Sequence, residues 1–158
     1  MGVLNVTPDS FSDGGKFNRL DLAVKHIGSM LENGADIIDI GGESTKPGSD
    51  PVSIDEELNR VIPIINEVKK TSNDILISVD TYKSVVAKEA IKAGADIIND
   101  ISGLAFDEDM APLLAKKDIP VIIMHIQGKP KTMQQNIYYD DLINDIKKYF
   151  KKRCDYAI

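Results

Sequence analysis

The chain has 158 residues, of which 42% are hydrophobic and 28% are charged, and its 19 basic and 25 acidic side chains give a net charge of −6. These values fit one globular domain with a packed core, and they argue against a disordered chain or a general nucleic-acid binder. Cys154 is the only cysteine, so we expect no intramolecular disulfide. No apolar run approaches the ~18 residues of a membrane span, and no signal-peptide pattern opens the chain. We therefore expect a cytoplasmic protein that does not associate with a membrane.

Short apolar runs alternate with longer amphipathic segments along the chain. The runs lie at 3–6, 37–40, 75–79, 97–98 and 121–124. They are rich in β-branched residues and are bounded by Gly, Pro or Asp, which predicts strands buried on both faces, as in a parallel sheet.

Apolar residues recur at helical spacing after each of these runs and predict five helices. Gly34 is the expected left-handed C-cap of the first helix, and Ser53 with Glu56 three residues later predicts the N-terminus of the second. Pro63 lies inside that second helix and predicts a kink or a local irregularity. The apolar stripes comprise Leu22, Ala23, Ile27, Met30 and Leu31; Leu58, Val61, Ile62, Ile65 and Val68; Val85, Val86, Ala90 and Ile91; Met110, Leu113 and Leu114; and Leu142, Ile143, Ile146 and Phe150.

Five βα units fit either an open doubly wound sheet or a (β/α)₈ barrel of the TIM type. The motif GADIIDI at 34–40 recurs as GADIIND at 94–100, which supports a repeated βα unit. The motif GxGxxG does not follow the first strand, and GxxxxGK[ST] does not occur in the sequence. The two motifs that best identify a nucleotide-binding open sheet are therefore missing. Polar residues follow several strands, as in barrel enzymes: they are Asn5, Asp39, Asp80, Asn99 and His125.

We therefore expect a TIM-type barrel of the α/β class. A complete barrel needs ~250 residues, so this chain would hold only about the first five of the eight units. Either the chain is a fragment of a longer protein, or other elements cover the two open edges of the sheet.

Two loops follow the first two strands and are rich in turn formers, small hydroxyls and glycine. Residues 5–15 read NVTPDSFSDGG, with Phe11 as the one large apolar side chain, and residues 41–48 read GGESTKPG, with Lys46 as a cation. Loops of this composition at strand ends are typical of ligand-binding segments.

These two loops, with SVDTY at 78–82, INDI at 98–101 and MHIQG at 124–128, resemble the dihydropteroate synthase family of pterin-binding enzymes in order and spacing. The resemblance implies a transferase of folate biosynthesis, which condenses (7,8-dihydropterin-6-yl)methyl diphosphate with 4-aminobenzoate and releases diphosphate with the help of Mg²⁺. It also implies a homodimer. Residues 1–158 would then form one pterin-binding domain that is a partial barrel.

The resemblance also assigns roles to individual residues. Asp80 and Asn99 match pterin-contacting positions and are the candidate catalytic residues, since a carboxylate there can stabilise positive charge as the C–O bond loosens. Asn5 matches the residue near the metal and the diphosphate, and its oxygen suits Mg²⁺. The other candidate substrate-binding residues are Pro8, Phe11, Thr45, Lys46, Pro47, Ile101 and Met124. Of these, Pro8, Phe11, Thr45 and Pro47 would line the 4-aminobenzoate pocket.

The chain departs from the family pattern in two ways. Lys46 stands where the family often has Arg, which keeps the charge but loses the planar fork for bidentate binding. The later family motifs, an Asp-Pro-Gly segment, a Ser-Arg-Lys segment and an Arg-x-His, do not occur in the 158 residues. The chain therefore carries the binding-loop half of the family site and not its cationic half.

Several candidates also have a structural interpretation. Asp80 could cap the following helix, and Asn99 could be a turn amide. Asp39 and Glu43 could form an acid–base pair or could hydrogen-bond within the barrel mouth and its loops. His125 is expected to be structural or to line a pocket.

Two other functions compete with the synthase. Methyltetrahydrofolate–corrinoid methyltransferases resemble the chain around Asp80 and Asn99, but they are not expected to carry the loop at 7–15. A non-catalytic fragment that folds or binds a pterin without turnover is the other alternative. Arylamine-dependent release of diphosphate would distinguish the synthase from both.

Overall fold

The computed structural model describes the backbone of residues 1–6 and 16–158 and the side chains of residues 1–6 and 20–158. Five strands alternate with five helices over these residues. The strands are β1 (Gly2–Asn5), β2 (Ile37–Gly41), β3 (Leu76–Asp80), β4 (Ile97–Asp100) and β5 (Val121–Ile123). The helices are α1 (Lys16–Glu32), α2 (Ile54–Thr71), α3 (Ser84–Ala93), α4 (Met110–Lys117) and α5 (Leu142–Ala157).

The five strands form one parallel sheet in the order β1-β2-β3-β4-β5. Each strand therefore pairs with the next strand along the chain. A doubly wound sheet instead reverses its strand order at a switch point, whereas a (β/α)₈ barrel adds each strand beside the previous one. The predicted α/β fold, with the first five βα units of a TIM-type barrel, is confirmed.

The hydrophobic core lies between the sheet and the helices. Alternate strand residues face the helices and are fully or almost fully buried: they are Leu4, Ile38, Ile40, Ile77, Val79 and Ile98. The side chains of α2 that meet them are Val61, Ile64, Ile65 and Val68. This side of the sheet confirms the predicted apolar core.

The opposite face of the sheet is only partly covered. Val3 is 56% exposed and Leu76 is 45% exposed, although both lie in apolar strand runs. The prediction that the strands are buried on both faces is therefore wrong at these positions, because no element among the described residues packs over the two side chains. The polar residues described below share this face.

Local signals at the helix ends are mostly confirmed. Gly34 has a φ of +90°, in the left-handed region, two residues beyond the end of α1. Ser53 Oγ accepts a hydrogen bond of 3.2 Å from the Glu56 N–H, but the Glu56 carboxylate pairs with Arg60. α2 continues through Pro63, which lies on the exposed side, where water can solvate the carbonyl that lacks its usual partner. Over residues 1–6 and 16–158, no helix is both long and apolar enough to cross a membrane.

Candidate active site

The carboxyl ends of the first four strands lie in one row, and three of these ends carry polar side chains. Asn5 pairs in register with Gly41, Gly41 with Asp80, and Asp80 with Asn99. Residues that lie side by side in a parallel sheet project to the same face, and neighbouring strands are ~4.8 Å apart. Asn5, Asp80 and Asn99 therefore converge on one rim, as the sequence predicted from the ends of parallel strands.

Gly41 leaves a gap in the middle of this row. A Cβ atom at Gly41 would lie 3.5 Å from Asn5 Oδ1 and 3.6 Å from Asp80 Oδ2. The glycine thus keeps open a space that has an amide oxygen on one side and a carboxylate oxygen on the other.

Asp39 lies on β2 two residues before Gly41, on the same face of the sheet, and it forms a hydrogen bond with Asn99. Asn99 Nδ2 donates a hydrogen bond of 3.1 Å to Asp39 Oδ2. Because the amide nitrogen points to Asp39, the amide oxygen of Asn99 is available to accept from a ligand. Asp39 is therefore a support for Asn99, and the interpretation of Asn99 as a turn amide is wrong.

Three buried oxygens around this row have no hydrogen-bond partner among the described residues. They are Asp39 Oδ1, Ser78 Oγ and Asp80 Oδ1. Ser78 pairs in register with Asp39, so all three belong to the same face of the sheet. Unpaired buried polar atoms are rare because each costs about 1–3 kcal/mol. Their concentration here marks a place suited to a polar ligand.

Asp80 has an altered acidity. Burial raises the pKa of its carboxyl to about 7, and the nearby negative charges of Asp39, Glu57, Asp100 and Glu43 add to the effect. At neutral pH the carboxyl is therefore divided between its neutral and ionised forms. It can donate a hydrogen bond in one form and only accept in the other.

Asp80 is not the cap of the following helix. α3 begins at Ser84, whose backbone N–H donates to Asp107 Oδ2 at 2.7 Å. Thr81 Oγ1 accepts from the Lys83 N–H. The helix-cap interpretation of Asp80 is therefore wrong, and the position of Asp80 favours a role at the rim.

The loop after β2 is held by Glu43, which is buried. Tyr82 Oη donates to Glu43 Oε1 at 2.8 Å, and Lys83 Nζ donates to Glu43 Oε2 at 2.6 Å. Glu43 is thus part of an ion-pair network and does not pair with Asp39 as an acid and a base. Asp39 contacts Asn99 instead.

The other predicted substrate-binding residues are distributed around the rim. Thr45 is partly buried in the β2–α2 loop, in which Lys46 and Pro47 are exposed. Met124 is exposed directly after β5, whereas Ile101 is buried directly after β4. Pro8 and Phe11, with the rest of the loop at 7–15, lie outside the described residues.

His125 packs among aromatic rings. Its ring centroid lies 4.6 Å from that of Tyr149 in an edge-to-face arrangement. Asp100 has a similarly structural surrounding, since its carboxylate accepts from the Ser102 N–H and hydroxyl and from the Leu104 N–H. Both residues support the loops behind the rim.

Sequence reasoning missed the network of Lys83 and Glu57. Lys83 Nζ donates to Glu57 Oε2 at 2.5 Å, and the Glu57 side chain is buried. One feature of the sequence could have predicted this network. Glu57 stands four residues before Val61, on the apolar face of α2, and a buried acid there destabilises the fold unless it pairs with a cation.

The residues present suit a metal ion only with help from a ligand. Within residues 1–6 and 16–158, no three His, Cys, Asp or Glu side chains are arranged to hold a metal ion. Mg²⁺, however, is commonly held by few protein oxygens together with substrate phosphates and water. The side-chain oxygen of Asn5, which borders the space beside Gly41, suits that kind of site.

Comparison with known proteins places the chain among pterin enzymes. The family described as "Pterin binding enzyme" matches residues 1–158. The dihydropteroate synthase of Clostridium beijerinckii is 54% identical over 147 residues, which are 93% of this chain and 53% of that protein. The dihydropteroate synthase of Synechocystis is 49% identical over 157 residues, which are 99% of this chain and 54% of that protein.

Solved structures give the same result. A Clostridium difficile dihydropteroate synthase, determined in the presence of pteroic acid, has a TM-score of 0.90 and 51% identity, covering 99% of this chain and 57% of that one. The Xanthomonas albilineans dihydropteroate synthase with 4-aminobenzoic acid has a TM-score of 0.86 and 39% identity, covering 99% and 54%. The chain therefore spans about half the length of the relatives it matches.

Proposed function

The chain belongs to the pterin-binding enzyme family, and we propose that it forms the pterin-binding half of a dihydropteroate synthase. The observation that carries this proposal is the convergence of Asn5, Asp80 and Asn99 on one rim of the sheet, with Asp39 beneath them. Relatives that are 54% and 49% identical to the chain over the aligned residues bear this name.

The reaction is an alkyl transfer to an arylamine. The amino nitrogen of 4-aminobenzoate forms a bond to the methylene carbon of the pterin diphosphate, while the bond from that carbon to the diphosphate oxygen breaks. Diphosphate leaves with the bonding electrons, and the new secondary amine loses a proton. Positive charge develops on the pterin side of the breaking bond, and the protein must stabilise it.

Asp80 and Asn99 hold the pterin in this proposal. A pterin edge carries N–H donors and ring nitrogens, and the Asp80 carboxyl and Asn99 amide offer matching acceptors and donors. Asp39 fixes the orientation of the Asn99 amide. In its ionised form the Asp80 carboxyl also places negative charge near the developing positive charge, which is electrostatic preorganisation.

Asn5 serves the diphosphate end and would hold Mg²⁺ through its side-chain oxygen. When bound, the metal ion would neutralise charge on the leaving diphosphate. The position of Asn5 Oδ1 beside the gap at Gly41 supports this role.

The arylamine would lie between the two loops that follow β1 and β2. Thr45, Lys46 and Pro47 belong to the second loop, and Pro8 and Phe11 belong to the first. Such loops would exclude water, which competes with the amine as a nucleophile. The bound 4-aminobenzoic acid in the Xanthomonas albilineans relative supports an arylamine as the second substrate.

Diphosphate release from the pterin diphosphate, measured with and without 4-aminobenzoate, tests the proposal. The intact native protein that contains this chain should release diphosphate only with the arylamine, and Asp80→Ala and Asn99→Ala should each slow release by about 100-fold or more. Exposed Lys92→Ala is the matched control and should act like the wild type. Arylamine-independent release, or no release by a protein that binds the pterin, would overturn the proposal.

The homodimer that the resemblance implies and the cytoplasmic location expected from the sequence patterns remain predictions. Sedimentation analysis of the intact protein tests the first, and cell fractionation tests the second.

A further inference from the structure

A buried network joins the β2–α2 loop to helices α2 and α3. We call it the Lys83 cluster, and it comprises the side chains of Glu43, Glu57, Tyr82 and Lys83 with the backbone of Val52. Lys83 Nζ lies 2.6 Å from Glu43 Oε2, 2.5 Å from Glu57 Oε2 and 2.8 Å from the Val52 carbonyl oxygen. One ammonium group thus serves three acceptors, which is its full donor capacity.

The charges of the Lys83 cluster are shielded from water. The side chains of Lys83, Glu43 and Glu57 are 14%, 6% and 1% exposed. Burial alone would lower the pKa of Lys83, but the hydrogen bonds of Glu43 and Glu57 raise it above its usual value. Lys83 therefore stays charged at neutral pH, and its loss would leave two neighbouring carboxylates without a cation.

The Lys83 cluster closes the two ends of the β2–α2 loop on each other. Glu43 stands at the start of the loop and Val52 near its end. The Val52 N–H donates to Glu43 Oε2 at 2.9 Å, and Lys83 bonds both Glu43 and the Val52 carbonyl. Arg60 Nη1 adds a bond of 2.6 Å to the Gly42 carbonyl. The base of the loop is therefore fixed from α2 and α3.

The segment between these ends carries Thr45, Lys46 and Pro47. We propose that Glu43 and Lys83 are positioning residues, which hold this segment in place for the arylamine by closing the base of the loop without touching the substrate. The inference rests on the proposed function for the identity of the ligand. The closure itself rests only on the contacts given above.

The two carboxylates of the Lys83 cluster offer a matched pair of variants. In Glu43→Gln, one side-chain oxygen cannot serve Tyr82, Val52 and Lys83 together, and the new amide N–H groups face donors. In Glu57→Gln, the remaining oxygen can still accept from Lys83, its one partner in the cluster. Both variants remove one negative charge, but only Glu43 belongs to the loop.

Hydrogen exchange of the Val52 amide in the intact native protein that contains this chain measures the closure directly. We expect about tenfold faster exchange or more in Glu43→Gln and in Lys83→Met, and a change within about twofold in Glu57→Gln. Lys83→Arg keeps the charge and should restore part of the protection. Lys92→Met, which breaks an exposed pair on α3, the helix that Lys83 precedes, should match the wild type.

Equal acceleration in Glu43→Gln and Glu57→Gln would overturn the inference, because the cluster would then support only general stability. Unchanged exchange in Glu43→Gln would also overturn it. In the intact native protein, Glu43→Gln should raise the KM for 4-aminobenzoate about tenfold or more and leave the KM for the pterin diphosphate within about twofold. An equal rise in both KM values would overturn the arylamine role.

These readouts separate the two proposals. If the wild-type protein fails to release diphosphate but the exchange pattern is as expected, the proposed function fails and the loop closure stands. If release depends on the arylamine but the exchange pattern differs from that expected, the closure fails and the function stands.

Discussion

Asp80 is a destabilising residue in the row of rim residues. Its carboxyl is largely surrounded by protein, lies near Asp39, and has one oxygen without a partner among the described residues. Such a group lowers the stability of the fold and is retained where a ligand needs it. The cost should be visible in the pH dependence of unfolding.

The folded-state pKa of Asp80 is about 7, against 3.8 for the free side chain. Between these values the folded state keeps a proton that the unfolded chain releases, so Asp80 makes stability fall as the pH rises from about 4 to about 7. Below pH 4 the protonation of Asp80 does not change the free energy of unfolding with pH. Above pH 7 the destabilisation that Asp80 causes is constant. Asp80→Asn removes the titration.

We therefore expect Asp80→Asn to be more stable than the wild type at pH 8 by about 1–2 kcal/mol, and to differ much less at pH 4. The value is smaller than for a carboxyl sealed from water, because Asp80 is partly open to solvent. Urea unfolding of both proteins across this pH range measures the difference. A constant difference between the two proteins at pH 4 and pH 8 would contradict the assignment of the raised pKa.

Helix α3 shows how an element can depend on a residue distant in the chain. Its first residue, Ser84, donates its backbone N–H to Asp107 from the β4–α4 loop at 2.7 Å. Burial alone would raise the pKa of Asp107, but the hydrogen bonds from the backbone and side chain of Ser84 lower it overall. The stability from this bond is therefore present above the usual carboxyl pKa and is lost as the pH falls through the folded-state pKa.

Asp107→Ala should destabilise the chain by about 1 kcal/mol at pH 7, because the Ser84 N–H at the helix start loses its acceptor. Thermal or urea unfolding measures this loss, which should shrink in acid. Asp109→Ala is the matched control, since Asp109 precedes α4 and makes no side-chain cap bond. Equal losses in the two variants would show that the Ser84 contact is not the cause.

The elements could be predicted where the signal is local. The β-branched runs, Gly34 after α1 and Ser53 before α2 each depend on a few neighbouring residues. The start of α3 could not be predicted in this way, because Asp107 lies 23 residues from Ser84 in the sequence. The sequence pattern offered Asp80, the nearest preceding acid, as a cap of this helix. This was the alternative to the functional role that the pattern favoured for Asp80.

The candidate site was partly predictable for a related reason. Parallel strands in sequence order bring their carboxyl ends together, so Asn5, Asp80 and Asn99 could be grouped before any coordinates were known. The Lys83 cluster could not be predicted from the sequence, because it depends on how the β2–α2 loop packs against α2 and the start of α3. The support of Asn99 by Asp39 likewise depends on side-chain direction across two intervening strand pairings.

At the scale of the whole molecule, packing is uneven. The strands β2 and β3 are central in the sheet and carry fully buried residues, whereas α5 has no buried residue. The side chains of Leu142, Ile143 and Tyr156 on α5 are 49%, 61% and 50% exposed. The edge-to-face contact of Tyr149 with His125 and a few polar contacts hold α5 to the loops that follow β4 and β5.

Those contacts come from two residues of α5. Arg153 donates to the carbonyls of Gly103 and Leu104, the latter at 2.6 Å, and Tyr149 Oη lies 3.0 Å from the carbonyl oxygens of Ser102 and Met124. A helix attached by a few polar contacts opens at a lower free energy than a buried strand. The chain should therefore not unfold as one uniform unit.

Native-state hydrogen exchange of the 158-residue chain should show α5 amides exchanging at least about tenfold faster than those of β2 and β3. Arg153→Gln should accelerate α5 further and leave the strands unchanged, because the hydrogen bonds of its guanidinium reach only the loop after β4 and its other contact is with Tyr156 of α5. Lys151→Gln breaks only an exposed pair with Asp155 and should have little effect. If α5 and the central strands exchanged at one common rate, the helix would be an integral part of the cooperative core, and the weak attachment inferred from its exposure would be wrong.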